Sequence, residues 1–227
     1  MRVAVLQSPG SNCDQDAYHA LRDHLGFDAE YVWHRETSLE GYEGVVIPGG
    51  FTYGDYLRGG AIAALSPVIE EVKRFAVEGR PVIGICNGFQ ILTEAEILPG
   101  ALVRNAGRRF LCKDANIKAV NRTSPWTAKC DCILSIPIAH NEGRYIAEEE
   151  TIERLEGEGR VAFVYCTPEG EVNPEAAPSG SSHNIAGILN ERGNVLGMMP
   201  HPERAISKLL GGSDGRIILE QLATAKV

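Results

Sequence analysis

The sequence predicts an α/β fold: a mostly parallel sheet with helices on both faces, plus a smaller antiparallel portion. Short apolar runs rich in β-branched residues alternate with segments of helical periodicity, as βαβ units require. Two of these runs, Val45–Ile47 and Val82–Ile85, contain no polar residue, which is typical of strands covered by helices on both sides. We therefore place both runs in the middle of the sheet.

The first half of the chain alternates strands with helices. The predicted strands are Val3–Leu6, Gly44–Ile47 and Val82–Ile85, and the predicted helices are Asp14–Leu25, Pro67–Val77 and Phe89–Ala95. Ser66 and Pro67 supply an N-cap and a first-turn proline for the second helix. Gly26 and Gly79 stand where left-handed C-caps would end the first two helices.

Beyond Gly100 the alternation loosens. Further strands are predicted near Leu111–Val120, Cys132–Ile138, Val161–Tyr165, Ile185–Leu189 and Val195–Met199, with a closing helix near Gly215–Ala225. We expect the first three of these strands to form the antiparallel portion. The segment Thr167–His183 is rich in Pro, Gly, Ser, Asn and Glu, which predicts a surface loop rather than a linker. A single domain over residues 1–227 is therefore expected.

Composition excludes several classes of protein. The 227 residues are 44% hydrophobic and 23% charged, which is the balance of a folded chain and not of a disordered one. The net charge of −8 argues against nucleic acid or an anionic membrane as a partner. Six dispersed cysteines are too few for a disulfide scaffold. No run approaches the roughly 18 apolar residues of a membrane span, and the first apolar run is short, so we expect a cytoplasmic protein.

The segment Gly84–Gln90, with the sequence GICNGFQ, follows a buried strand and precedes a helix. This is the pattern of a nucleophile elbow with Cys86 in the nucleophile position. Small residues at 84 and 88 fit the cramped turn, and the start of a helix favours a thiolate. The alternative is a structural cysteine beside two incidental glycines.

A cysteine nucleophile needs a base, and the candidate is His201 in the segment MPHPE after the last core strand. Residues two apart in an extended segment project to the same side, so Glu203 can orient the imidazole of His201. A lone histidine is more often a packing or surface residue. The pairing with Glu203 at the end of a strand favours catalysis.

The glycine pair that follows the strand Gly44–Ile47 predicts an oxyanion hole, because glycine lets backbone amides face a bound oxygen. Gly50 would supply one amide and Asn87 the other. A tight turn or a phosphate loop is the alternative, although the segment matches neither common nucleotide-binding pattern.

Other cysteines and histidines carry weaker signals. Cys130 and Cys132 lack two further metal ligands nearby, and no Cys-x-x-Cys follows His201 as a zinc deaminase would require. Cys13 lies after the first strand without an elbow, which indicates a structural or substrate-adjacent role. The remaining histidines divide into two groups: His19, His24 and His34 are ordinary packing or surface candidates, while His140 and His183 lie in candidate site loops.

In this order, the glycine loop, the cysteine elbow and the His-x-Glu segment resemble the class I glutamine amidotransferases, a family with a flavodoxin-like sheet and a Cys-His-Glu triad. Four segments are similar to one branch, the glutaminase subunits of phosphoribosylformylglycinamidine synthase: Ser8–Asp14 (SPGSNCD), Gly49–Gly60 (GGFTYGDYLRGG), Gly84–Gln90 (GICNGFQ) and Gly197–Arg204 (GMMPHPER). Two segments depart from the branch: His140–Gly143 has Asn141 where Gly is usual, and the loop Asn173–His183 is longer.

The resemblance implies a role for each matching residue. Cys86 would be the nucleophile, His201 the acid and base, and Glu203 its orienting partner, with Gly50 and Asn87 as the oxyanion hole. Gln90 and Phe51 would contact the substrate glutamine. No metal is implied.

The resemblance also implies partners: a large synthetase subunit that uses ATP and Mg²⁺ to amidate formylglycinamide ribonucleotide, and a small accessory subunit. This chain itself would bind no cofactor and would supply ammonia from glutamine. Two alternatives remain open, a free-standing cysteine hydrolase such as a γ-glutamyl hydrolase, and a non-catalytic scaffold that has kept the elbow.

Overall fold

The computed structural model describes all 227 residues, and a nine-stranded sheet forms its centre. The strands are β1 (Arg2–Gln7), β2 (Asp28–Trp33), β3 (Gly44–Ile47), β4 (Val82–Ile85), β5 (Ala101–Val103), β6 (Leu111–Ala119), β7 (Leu134–His140), β8 (Arg144–Ile146), β9 (Val161–Tyr165), β10 (Ile185–Leu189) and β11 (Val195–Met198). The helices are α1 (Asp14–His19), α2 (Pro67–Val77), α3 (Asn87–Glu94), α4 (Glu149–Gly157) and α5 (Gly215–Glu220). The sheet order is β2-β1-β3-β4-β11-β10-β9-β6-β7.

The first five strands in this order are parallel to one another, which confirms the predicted parallel sheet. Every residue of β3, β4 and β11 is buried, as strands covered on both faces must be. The predicted start of α2 at Pro67 is confirmed, although the Ser66 hydroxyl makes no capping hydrogen bond, and Gly79 follows the helix with a φ of 77°. The first predicted helix is divided: α1 continues as a π-helix over Ala20–His24, and Gly26 follows it with a φ of 70°.

The antiparallel portion extends the same sheet. Strand β10 pairs antiparallel with β11, and the pairing continues through β9, β6 and β7. A separate two-stranded ribbon is formed by β5 and β8. The antiparallel strands therefore flank one side of the parallel half, next to β11, and β7 brings its carboxyl end at His140 toward the loops that follow the parallel strands.

Four elements were not predicted, and each has a weak local signal. Strand β2 lies at the edge of the sheet and buries only two of its six residues, while β5 and β8 have three residues each. Helix α4 is strongly acidic and buries only Ile152 and Leu155. The closing helix is also shorter than predicted, because α5 ends at Glu220 and a 3-10 turn follows.

The segment Thr167–His183 is only partly a surface loop, which corrects the prediction. Ser179 and Ser181 are buried and share a hydrogen bond of 2.9 Å. The amide of Tyr145 in β8 donates to the Ser181 hydroxyl at 3.1 Å. Short polar side chains that satisfy buried backbone groups give the same composition as an exposed loop, so the sequence does not separate the two cases. In the chain as a whole, no helix is both long and apolar enough to cross a membrane.

Asn194, just before β11, provides a test of what holds the parallel half together. Its fully buried side chain donates to the carbonyls of Ala76 (2.9 Å) and Arg80 (2.7 Å) at the end of α2. We expect Asn194→Ala to lower the free energy of unfolding by about 2 kcal/mol, because it removes the side-chain donor to the half-buried Arg80 carbonyl and leaves the Ala76 carbonyl with only the Gly79 amide. Urea denaturation measures the change, with exposed Glu191→Ala in the same turn as the control. Equal losses in both variants would contradict this role.

Candidate active site

The candidate site lies where neighbouring parallel strands end. Strands β3, β4 and β11 are adjacent in the sheet, and they lead directly to Gly49, Cys86 and His201. Strand β1 lies beside β3, so the loop that contains Cys13 joins the same edge. The chain order reverses between β1 and β3, and open α/β sheets bind their ligands outside the carboxyl ends of strands at such a point.

Cys86 occupies a strained turn between β4 and α3. Its φ of 53° and ψ of −105° are unusual for a residue with a side chain. The Cys86 amide donates to the carbonyl of Met198 at 2.8 Å, which anchors the turn to β11. A Cβ atom on Gly88 would lie 2.0 Å from the Ile47 carbonyl oxygen, and one on Gly84 2.6 Å from the Gly88 oxygen. Both glycines are therefore required by crowding, as the elbow pattern predicts.

His201 and Glu203 form a buried pair. The Nδ1 atom of His201 lies 2.6 Å from Oε1 of Glu203, and the side chains are 2% and 0% exposed. The prediction placed them in an extended segment, but Pro202–Arg204 is a 3-10 turn that brings the carboxylate back to the ring. Burial lowers the pKa of His201, yet Glu203 and the nearby thiols outweigh this and hold it well above its ordinary value.

Gly49 lies at the point where these groups converge. A Cβ atom on Gly49 would be 2.7 Å from Cε1 of His201, 3.1 Å from Sγ of Cys13 and 3.4 Å from Cβ of Cys86. The His201 imidazole thus lies between the thiols of Cys13 and Cys86, and the Gly49 backbone lies next to all three residues. The Nε2 atom of His201 has no hydrogen-bond partner, so it is available for proton exchange.

Cys13 is a second buried thiol at the site, in keeping with the substrate-adjacent alternative. Arg204 donates from Nη2 to its sulfur at 3.1 Å, and the thiol contacts Oδ1 of Asn12 at 3.1 Å. Burial raises the pKa of Cys13, and neighbouring His201 and Arg204 offset only part of the rise. Cys13 therefore stays a neutral thiol, which makes it a poor nucleophile.

Three side chains at the site have the chemistry of metal ligands. One ligand atom from each of Cys13, His201 and Glu203 lies within 4.8 Å of the other two. Hydrogen bonding accounts for this proximity, because Glu203 bonds to His201 and Arg204 bonds to Cys13. A guanidinium group on the sulfur also opposes a cation. We interpret the cluster as a proton-transfer site.

The two amides predicted for the oxyanion hole belong to the loop after β3 and to the start of α3. The Gly49 carbonyl accepts from the amides of Asn12 (3.5 Å) and Cys13 (3.2 Å), and in a trans peptide the Gly50 N–H points the opposite way. A Cβ on Gly50 would lie 2.8 Å from the Gly10 oxygen, so this position also needs glycine. Asn87 is the first residue of α3, where backbone amides lack intrahelical partners.

The two residues expected to contact substrate differ in exposure. Phe51 is 41% exposed and lies near Phe110, with 6.3 Å between ring centroids. Gln90 is buried and bonded within the chain: Asn87 donates to its Oε1 and its Nε2 donates to the Glu142 carbonyl, both at 2.7 Å. Gln90 therefore connects the elbow helix to the segment after β7.

The two histidines in candidate site loops, His140 and His183, have different surroundings. His140 is buried beside the site and faces Oδ1 of Asn105 at 3.1 Å. Burial, reinforced by the charge of His201, lowers the pKa of His140 to about 4, so it is neutral near pH 7. His183 instead lies at the surface, where it pairs with two glutamates of α4. Neither Asn105 nor Arg204 has a role assigned from sequence: Asn105 belongs to no motif, and the motif that ends at Arg204 does not indicate which groups its side chain contacts.

Comparison with known families agrees with this geometry. Residues 1–211 match the CobB/CobQ-like glutamine amidotransferase domain. The chain belongs to this family of glutamine amidotransferases. This amidotransferase is 55% identical over 217 residues to the phosphoribosylformylglycinamidine synthase subunit PurQ of Thermus thermophilus, covering 95% of this chain and 94% of that one. It is 51% identical over 223 residues to PurQ of Salinibacter ruber, covering 97% and 95%.

A solved structure gives the same result in three dimensions. The amidotransferase superposes on a chain in the structure of PurLQS from Thermotoga maritima with a TM-score of 0.86 and 41% identity, covering 98% of this chain and 97% of that one. The predicted fold class, with its mostly parallel sheet and antiparallel extension, is confirmed.

The two thiols beside His201 in this amidotransferase can be distinguished by labelling. We expect a chloroketone analogue of glutamine to modify Cys86 and to leave Cys13 unmodified, because Cys13 stays protonated and lacks the strained turn at a helix start that holds Cys86. Peptide mapping locates the label, and exposed Cys112 reports indiscriminate alkylation. Preferential labelling of Cys13 would contradict the assignment of Cys86.

Proposed function

We propose that this chain is the glutaminase subunit of a phosphoribosylformylglycinamidine synthase. It hydrolyses glutamine to glutamate and ammonia, and an ATP-dependent synthetase subunit uses the ammonia to convert formylglycinamide ribonucleotide to formylglycinamidine ribonucleotide. One observation carries the chemistry: a buried His201–Glu203 pair, 2.6 Å apart, stands beside the elbow cysteine Cys86. The similarity to PurQ over nearly the whole chain supports the substrate and the pathway step.

In the proposed mechanism the Cys86 thiol gives its proton to His201, and the sulfur attacks the side-chain carboxamide carbon of glutamine. The negative oxygen that forms accepts hydrogen bonds from the amides of Gly50 and Asn87. His201 donates a proton to the departing ammonia, and the γ-glutamyl thioester remains on the sulfur. Water gives a proton to His201 as it attacks the thioester, and His201 returns that proton to the departing sulfur, which releases glutamate and restores the Cys86 thiol.

Glu203 keeps the imidazole in the orientation that this proton transfer needs. Phe51 forms part of the substrate pocket. Gln90 is proposed to contact the substrate as well, from the position in which it holds Asn87 and the Glu142 carbonyl.

The partners are part of this proposal. A large synthetase subunit binds ATP and Mg²⁺, and a small accessory subunit completes the assembly, while this chain needs no cofactor because a thiol and an imidazole supply the hydrolytic chemistry. We also propose a single amidotransferase domain over residues 1–227, supported by one continuous cluster of 60 buried apolar residues. Six unpaired cysteines support a reducing, cytoplasmic location.

Access to the sulfur supports a subunit that acts in an assembly. Cys86 is only 5% exposed, so glutamine reaches it only after neighbouring groups move. Free ammonia is mostly protonated near pH 7 and is then a poor nucleophile, so hydrolysis is useful only when a partner receives the product directly. A closed site in the isolated chain limits wasteful turnover.

The orienting role of Glu203 predicts a graded loss of activity. We expect Glu203→Gln to lower kcat for glutamine hydrolysis by about 10²- to 10⁴-fold, and Cys86→Ala to lower it to background. Because Glu203 raises the pKa of His201, its loss moves the alkaline limb of the pH profile to lower pH. Steady-state assays of folded variants test both effects. Equal residual rates in the two variants would rule out an orienting role.

Reconstitution with the synthetase subunit separates this proposal from a free-standing cysteine hydrolase. We expect Cys86→Ala to abolish glutamine-dependent product formation by the complex and to spare synthesis from high external ammonium, because the partner's amidation chemistry is intact. The isolated wild-type chain should hydrolyse glutamine slowly, with stimulation by the partner. Fast turnover without stimulation, or loss of the ammonium reaction in an assembled variant, would favour the independent hydrolase.

A further inference from the structure

Cys13 contacts both halves of the proposed catalytic machinery. Its backbone amide binds the glycine segment that carries the Gly50 amide, and its sulfur lies in the cluster of His201 and Glu203. We propose that Cys13 is a positioning residue that holds the oxyanion-hole peptide and the His201–Glu203 pair in register, and that Arg204 fixes its side chain. This inference rests on the proposed glutaminase function and assigns Cys13 no contact with substrate.

The backbone contact fixes the direction of one peptide plane. The amide of Cys13 donates to the Gly49 carbonyl at 3.2 Å, and the amide of Asn12 donates to the same oxygen at 3.5 Å. The carbonyl is thereby held toward the loop after β1. Rotation of the Gly49–Gly50 peptide would break both bonds, so the loop favours the orientation in which the Gly50 N–H can face an oxyanion.

The side-chain contacts tie the same loop to the catalytic turn. Arg204 donates from Nη2 to the Cys13 sulfur at 3.1 Å and from Nε to Oδ2 of Asp16 at 3.0 Å. Because Arg204 directly follows Glu203, these bonds hold the 3-10 turn that presents the carboxylate to His201. One guanidinium group therefore fastens helix α1 to the base.

The size of the sulfur matters as well as its polarity. The Cys13 sulfur lies 3.1 Å from the position that a Gly49 Cβ would occupy, next to the Cε1 edge of His201 at 2.7 Å from the same point. Alanine at residue 13 would leave a gap beside the imidazole and remove the acceptor for Arg204. Serine would keep an acceptor but would fill less of the space.

Four ionisable groups act on the His201 imidazole, namely Glu203, Cys86, Cys13 and His140, and Arg204 lies behind Cys13. Among them Glu203, Cys86 and Cys13 raise its pKa. Loss of Cys13 therefore lowers the pH at which the imidazolium loses its proton. A residue that only filled space elsewhere would leave this pH unchanged.

The test compares Cys13→Ala, Cys13→Ser and Cys130→Ala in the complex with the synthetase subunit. We expect Cys13→Ala to lower kcat for glutamine hydrolysis by about 10-fold with little change in KM, and to shift the alkaline limb to lower pH. Cys13→Ser should recover most of kcat because it still accepts from Arg204. Cys130→Ala is the matched control, because Cys130 is a buried cysteine beside Trp126 and is distant in sequence from Cys13. It should leave kcat and the pH profile unchanged.

Rates are expressed per Cys86 that reacts with the chloroketone analogue, so a misfolded fraction does not lower kcat. An unchanged kcat and pH profile in Cys13→Ala, with only a lower melting temperature, would overturn the inference. If Cys13→Ala does not fold, Arg204→Lys supplies the test, since lysine cannot bond Cys13 and Asp16 together and should give the same loss of kcat with little change in KM, while the pH profile stays in place because Cys13 remains beside His201. A wild-type complex that fails to hydrolyse glutamine would instead contradict the proposed function.

Discussion

The site depends on the absence of a side chain at Gly49. The His201 ring, the Cys13 sulfur and the Cys86 Cβ all lie within 3.4 Å of the point where a Cβ would stand. Close approach of three strand ends is therefore possible only if the backbone between them is bare. The same condition applies at Gly84 and Gly88, where the elbow turns against β3 and α3. Crowding is thus the constraint that defines the geometry of the elbow, the His201–Glu203 pair and the glycine loop together.

Burial gives the His201–Glu203 pair its character. An unpaired carboxylate with no exposed surface would be strongly disfavoured, and an imidazolium in the same place equally so. Held 2.6 Å apart, each group offsets the cost of burying the other, and this balance keeps the pKa of His201 high despite burial. Cys13 carries no charge in this arrangement, because burial raises the pKa of its thiol. The thiols of Cys13 and Cys86 therefore flank one imidazole in different environments.

The sequence could predict what is encoded locally. Each of the predicted features occupies a few consecutive residues: the buried strands, the elbow, the His-x-Glu segment and the glycine pair. The last three lie at the ends of adjacent strands, as expected. Contacts between distant segments could not be predicted: Arg204 meets Asp16 and Asn105 meets His140 across long stretches of chain. Edge strand β2 and acidic helix α4 were missed because tertiary contacts, not apolar periodicity, stabilise them.

Catalytic geometry and substrate access are held by different parts of the molecule. The residues of the proposed triad follow two paired strands, β4 and β11. The segment Gly49–Gly60 is held mainly at its two ends: the amides of Phe51 and Tyr53 donate to the loop after β1 at 3.0 and 2.8 Å, Thr52 donates to Asn87 at 3.3 Å, Gly59 donates to Glu142 at 3.1 Å, and Arg58 pairs with Glu94. Tyr53, Asp55 and Leu57 in this segment have positive φ values, and Leu57 is 88% exposed. A strained segment with few buried contacts opens at a lower free energy than the sheet beneath it. Opening the site to glutamine can therefore leave Cys86, His201 and Glu203 in place.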